Sequence, residues 1–215
     1  MNIETLLFDL DGTLINTNEL IIASFLHTLD KYKPGEYTRE HAIDFIGPPL
    51  IDSFRKVDAE RVDEMIATYR AFNHEKHDEL VEEYEGVYET VERLHEQGYK
   101  LAIVTTKIRK TALMGLKLTG LDQFFDVVIG LDDVTKAKPD PEPLEKALAA
   151  LGASKETAMM IGDSHYDVQA GKNLGIPTAI VGWSIKGEEN IRSYQPDYIL
   201  SNMRDLLAII GADES

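Results

Sequence analysis

The chain alternates between short, wholly apolar runs and longer segments in which apolar residues recur every three or four positions. The apolar runs are Ile3 to Phe8, Leu101 to Val104, Phe125 to Ile129, Ala158 to Ile161 and Thr178 to Val181. Each has the length and continuity of a strand buried on both faces. Between them, Val87 to His95, Thr111 to Leu118, Pro143 to Leu151 and Val168 to Leu174 carry a helical period. Buried strands alternating with helices predict βαβ units, hence an α/β fold with a doubly wound, mostly parallel sheet.

The stretch from Thr17 to about Glu85 breaks this alternation. Leu20, Ile21, Ser24, Phe25, Thr28 and Leu29 share one helical face, and Pro34-Gly35 and Gly47-Pro48-Pro49 are turn signals. Several helical patterns and no convincing strand predict a small helical unit over 17–84, inserted after the first strand of a core formed by 1–16 and 85–215. No internal repeat, low-complexity segment or long flexible linker interrupts it.

Composition narrows the chemistry. The 215 residues suffice for one sizeable core and a smaller accessory unit. No apolar run approaches the roughly 18 residues of a membrane span, and Glu4 interrupts any leader-like N-terminus, so the expected compartment is the cytoplasm. With no cysteine, a bound metal must take oxygen or imidazole ligands. Lys and Arg total 22 against 38 Asp and Glu, a formal net charge of −16, which argues against nucleic acid or an anionic membrane as partner.

In open parallel sheets the ligand crevice lies beyond the carboxyl ends of the strands. There stand Asp9 and Asp11 after the first run, then Thr105, Thr106 and Lys107 after the second. Asp132, Asp133 and Lys138 follow the third, and Gly162, Asp163 and Asp167 the fourth. Side chains two apart on an extended segment point the same way, so Asp9 and Asp11 can face one cavity while Gly12 lets the chain turn. Close carboxylates repel unless a cation or proton separates them. A magnesium ion, which takes oxygen ligands, suits Asp9, the Asp11 carbonyl and Asp163. "LDGT" also has the look of a hairpin turn, but a helical pattern follows it, so the hairpin lacks its second strand.

"FDLDGT", "VTT", the lysine of "KAKPDP" and "GDSHYD" resemble, in order, the four motifs of the haloacid-dehalogenase-like (HAD) phosphatase superfamily. That resemblance spans nearly the whole chain and implies a Rossmann-like core with a small, mobile helical cap. It implies that Asp9 is a nucleophile forming an aspartyl-phosphate, and that Asp11 protonates the leaving group and later activates water. Thr105 would bind the transferring phosphoryl group and Lys138 would neutralise charge. Gly12, Thr106 and Lys107 join them around the substrate, Lys107 being equally readable as a solvated strand-end lysine. Mg2+ would be held by Asp9, Asp11, Asp163 and Asp167.

Within the superfamily the subgroup with a helical cap is closest, and it includes phosphoglycolate phosphatases and β-phosphoglucomutases. "DGTLINTNELI", "FIGPPL", "YRAFNHEKHD" and "GLDDVTKAKPDPEP" are similar, more narrowly, to bacillus-type inorganic pyrophosphatases. This implies a small-molecule substrate, pyrophosphate, formed on dephosphorylation of seryl-phosphorylated HPr, and a monomer is the expected state. Asn16 stands where many of the phosphoglycolate phosphatases and phosphoglucomutases carry an acid. A pyrophosphate pocket is expected to be small and polar, with specificity supplied by the cap: Gly47 to Pro49, Asn73, His74 and His77 are its candidates. His74 and His77 also read as an exposed pair on an acidic helix. The alternatives are a phosphoglycolate or other small-metabolite phosphatase and, more remotely, a phosphorylatable receiver module, which is shorter and lacks the insertion.

Overall fold

The computed structural model describes residues 2–212. β1 (Thr5–Phe8) leads through β2 (Ile15–Asn16) into four helices, α1 (Asn18–Tyr32), α2 (Arg39–Asp44), α3 (Leu50–Val57) and α4 (Val62–Leu80). β3 (Glu82–Glu83) pairs antiparallel with β2 and returns the chain to α5 (Val87–Glu96). Then come β4 (Lys100–Val104), α6 (Arg109–Leu118), β5 (Val127–Ile129), α7 (Glu142–Leu151), β6 (Ala158–Gly162), α8 (His165–Leu174) and β7 (Thr178–Val181). α9 (Glu188–Ser193), β8 (Tyr198–Leu200) and α10 (Asp205–Ile210) follow.

Among the described residues, six strands form one sheet in the order β5-β4-β1-β6-β7-β8, every pair parallel. Its interior follows from the two-residue period of a strand. In β1, Leu6 and Phe8 enter one apolar layer and Leu7 the other. β4 divides likewise, Leu101 and Ile103 against Ala102 and Val104, as does β6, Met159 and Ile161 against Ala158 and Met160. Both faces are apolar, and helices cover both, which is what a parallel sheet requires.

The helices α1 to α4 build a separate apolar cluster. Phe25 on α1 meets Phe54 on α3 and Tyr69 on α4 at ring-centroid distances of 5.4 and 4.9 Å. Phe25 and Phe54 are almost fully buried, each contributing roughly 1.5–3 kcal/mol by burial.

Three strands differ from the sequence expectation, and the first is β2, which follows the loop after β1 where only a helical pattern is expected. β3 lies within the segment expected to hold none: its Glu82 and Glu83 side chains are exposed and carry no apolar alternation. β8 is a sheet edge on which Tyr198 and Ile199 remain partly exposed, so it lacks the fully buried run that marks its neighbours.

Candidate active site

β1 sits between β4 and β6, so the chain order reverses at its carboxyl end and a crevice opens there. Asp9 and Asp11 leave β1, Thr105 to Lys107 leave β4, Asp163 leaves β6, and Lys138 enters from the connection between β5 and α7. These residues line one cavity of roughly 530 Å³, roofed by α1, α3, α4 and the loop before α3, and Asp167 of α8 lies outside that lining.

Lys138 organises the floor. Its buried ammonium donates to Asp9 Oδ1 at 2.9 Å, to Asp167 Oδ1 at 2.6 Å and to the Val104 carbonyl at 2.8 Å. Those bonds use its full set of donors. Burial opposes the lysine's charge, but Asp167 and Asp9 outweigh it and hold the pKa above the usual lysine range. Asp167 accepts through Oδ2 from the Ser164 amide at 3.0 Å and hydroxyl at 2.6 Å, closing a capping box that starts α8.

One ammonium does not neutralise the acids around it. Ligand oxygens of Asp9, Asp163 and Asp167 lie within 4.8 Å of one another, and all three residues are buried. Burial pushes Asp9 up to about 7, with Asp167 and Asp11 adding to the rise against the pull of Lys138. Asp163 is raised well above the usual carboxylate range, again chiefly by burial and then by Asp167 and Asp9. Oxygen-only donors with surplus negative charge suit a hard divalent cation. Asp167 already has both oxygens engaged by protein donors, which makes Asp9 and Asp163 the freer ligands.

Gly12 adopts φ +76°, and a Cβ built there would fall 2.6 Å from Asp163 Oδ2. Glycine thus permits the close approach of the first loop to Asp163. Asp11 does not join the carboxylate cluster: its Oδ1 accepts from Lys107 Nζ at 2.6 Å and from Thr17 Oγ1 at 2.7 Å. Lys107 therefore faces the site rather than bulk water. The Thr105 hydroxyl accepts from the Lys107 amide at 3.1 Å, and Thr106 Oγ1 donates to the Gly47 carbonyl of the insertion at 3.0 Å.

Several expectations need correction. His74 and His77 are not an exposed pair. His77 is fully buried, with Nδ1 at 2.8 Å from Asp78 and Nε2 lacking a partner among the described residues. α4 turns these positions toward α6, not outward. His74 lines the cavity 3.1 Å from the Thr111 hydroxyl of α6, and its pKa lies below the usual value through burial and then the neighbouring Lys110, His77, Arg70 and Lys107. Asn73 is buried and donates to Ser24 Oγ at 3.1 Å.

The cavity is not small and polar. Polar groups gather on its floor, while Phe25, Phe45, Ile46, Leu50 and Ile66 give the roof a broad apolar wall. Asn16 lies away from the cavity lining, its amide donating to Glu82 at 3.1 Å across the β2–β3 ribbon. Asp132 and Asp133 are structural, accepting from the backbone amides of Arg109 and Gly130 at 2.7 and 2.8 Å. The sequence reasoning missed Arg70, Ser164 and Tyr166 of the lining. Arg70 stands three and four positions before Asn73 and His74, a spacing that placed it on their face, and Ser164-x-x-Asp167 has the capping-box pattern.

A model of the family described as haloacid dehalogenase-like hydrolase matches residues 6–181. The chain is 65% identical over 98% of both chains to a protein of Halalkalibacterium halodurans named pyrophosphatase PpaX. Among solved structures it is similar to a putative haloacid dehalogenase-like hydrolase from Bacteroides fragilis, with TM-score 0.88 and 28% identity over 95% of this chain and 100% of that one. A putative phosphoglycolate phosphatase from Lactobacillus plantarum gives TM-score 0.88 and 25% identity over 97% and 100%.

Proposed function

The chain belongs to the haloacid dehalogenase-like hydrolase family, and from that membership we propose that it hydrolyses inorganic pyrophosphate to phosphate through Asp9. The near full-length likeness to the Halalkalibacterium pyrophosphatase carries the substrate. The convergence of Asp9, Asp11, Lys138 and Asp163 at one crevice supports the chemistry. Residues 17–84 act as a cap over the core of 1–16 and 85–215, and the cytoplasm remains the expected compartment. Among the described residues no helix is long and apolar enough to cross a membrane.

The residues divide the work. Asp9 attacks one phosphorus and displaces the other phosphate, forming an aspartyl-phosphate, which splits one difficult displacement into two easier ones. Asp11 donates a proton to the departing phosphate, then takes one from the water that cleaves the acyl phosphate and regenerates Asp9. Its tie to Lys107 and Thr17 fixes the direction in which the carboxyl group faces. Thr105, Thr106 and Gly12 shape the pocket for the transferring group. Lys138 holds Asp9 in place and keeps Asp9 and Asp167 from repelling each other. Asp9 and Asp163, with Asp167 behind them, would hold Mg2+, whose charge offsets that of the phosphoryl group when bound.

The apolar roof favours a second reading, a small organic phosphate ester such as phosphoglycolate. Phosphate release from pyrophosphate, phosphoglycolate and sugar phosphates, with and without Mg2+, separates the two. The expected result is Mg-dependent multiple turnover with the highest kcat/KM on pyrophosphate. A higher value on an ester would transfer the assignment to that ester.

A further inference from the structure

On an acidic chain, binding of a substrate with two phosphates calls for positive charge at two places. Lys138 and Lys107 meet the first requirement on the floor, but both are committed, Lys138 to Asp9, Asp167 and Val104, and Lys107 to Asp11. Arg70 is the remaining Lys or Arg of the cavity lining. It is half-buried on α4 and has no hydrogen bond or ion pair among the described residues. Asp63, two turns earlier on the same helix, also lines the cavity but forms no ion pair with it.

A half-buried guanidinium without a partner forgoes the hydrogen bonding its planar fork is built for, and that fork matches phosphate oxygens two at a time. Its neighbours suit an anion. His74, one turn on, also lines the cavity, and burial and then the neighbouring Lys110, His77, Arg70 and Lys107 lower its pKa, so basic side chains gather at this edge of the cavity despite the overall charge of −16. Ile66, one turn back, belongs to the apolar wall and offers Arg70 no hydrogen-bond partner.

We propose that Arg70 is the cap residue that binds the second, departing phosphate of pyrophosphate. This rests on the pyrophosphatase reading. Arg70 exchanges no proton; it supplies a fixed charge where negative charge grows as the bridging oxygen leaves. It also places the choice of substrate on the insertion, because the chemistry lies on the core and the cation on α4.

The test compares Arg70→Met, which keeps a long stem and removes the charge, with Arg70→Lys, which keeps the charge. Each is assayed on pyrophosphate and on p-nitrophenyl phosphate, whose leaving portion carries no second phosphate. The expected result for Arg70→Met is a fall of about tenfold to hundredfold in kcat/KM on pyrophosphate, the scale of a lost charge-assisted hydrogen bond. On p-nitrophenyl phosphate it stays within about twofold, and Arg70→Lys recovers part of the pyrophosphate loss. Equal losses on both substrates, or none on pyrophosphate, overturn the assignment. If the wild-type protein prefers phosphoglycolate, the pyrophosphatase reading fails, and the same ratio taken with phosphoglycolate still decides whether Arg70 reads the second anionic group.

Discussion

The floor and the roof of the cavity are built by opposite means. On the floor, Lys138, Asp9, Asp163 and Asp167 are buried, and charge-assisted hydrogen bonds lock Lys138 to Asp9 and Asp167, beyond the ends of strands whose register is set by a two-faced apolar core. The roof is apolar and aromatic, packed around Phe25, Phe54 and Tyr69, and meets the core through few polar contacts. Thr106 to Gly47, His74 to Thr111 and Lys186 to the Ile43 carbonyl are among them, beside the two-residue ribbon of β2 and β3. The difference separates two tasks. Reaction chemistry demands groups held still in a dry, charged environment, whereas substrate choice demands a surface that can approach and withdraw.

The strongest way to break this division is on the floor. Asp9→Asn should lower kcat by about 10⁴-fold or more, the scale for removal of a nucleophile, while circular dichroism stays unchanged. Retained activity in the purified variant would move the chemistry elsewhere. Lys138→Ala should cost about 3–5 kcal/mol in urea denaturation, because it leaves buried carboxylates without their cation. An unchanged midpoint would show that the floor is not held by charge.

The sequence anticipated these two regions unequally. The strands β1, β4, β6 and β7 announce themselves as continuous apolar runs, and their ends carry acids, a Thr and a Lys in a recognisable order, so the floor was legible almost residue by residue. The roof was legible as helices but not as a surface. Helical period tells which residues share a face, not which partner that face meets, and so His77 passed for exposed when α4 buries it. The cavity's apolar wall arises from α1, α3, α4 and the loop at Phe45 meeting across long sequence separation. Ribbon strands of two residues are too short to leave any pattern.

pH sharpens the comparison, since only the floor should respond strongly. Burial pushes Asp9 up to about 7 in the folded protein against an ordinary 3.8, and Asp163 shifts the same way. The folded protein therefore binds more protons than the unfolded chain across that interval, and stability falls as pH rises from about 4 through 7. Metal-free protein should lose Tm over this range. Mg2+ should restore it, adding about 2.7 kcal/mol of stability at a hundredfold excess over Kd, with a larger gain above pH 7 than at pH 5. A Tm indifferent to pH and Mg2+ would contradict the surplus of buried negative charge.

The smallest effect belongs to the ribbon. Asn16→Asp would set a carboxylate against Glu82 and remove one hydrogen bond, at a cost of about 0.5 kcal/mol or less on an exposed pair. Because Asn16 does not line the cavity, the order of preference among substrates should not change. A reversal of that order would return Asn16 to the specificity surface.

The central claim is that Asp9 carries the phosphoryl group. Its most direct test is rapid acid quench of a single turnover on pyrophosphate, followed by peptide mass analysis. The account predicts a transient gain of one phosphoryl mass on the peptide containing Asp9, rising before phosphate is released from the enzyme and missing in Asp9→Asn. Turnover at full rate with no phosphorylated peptide, or with the phosphoryl group on another residue, would contradict it.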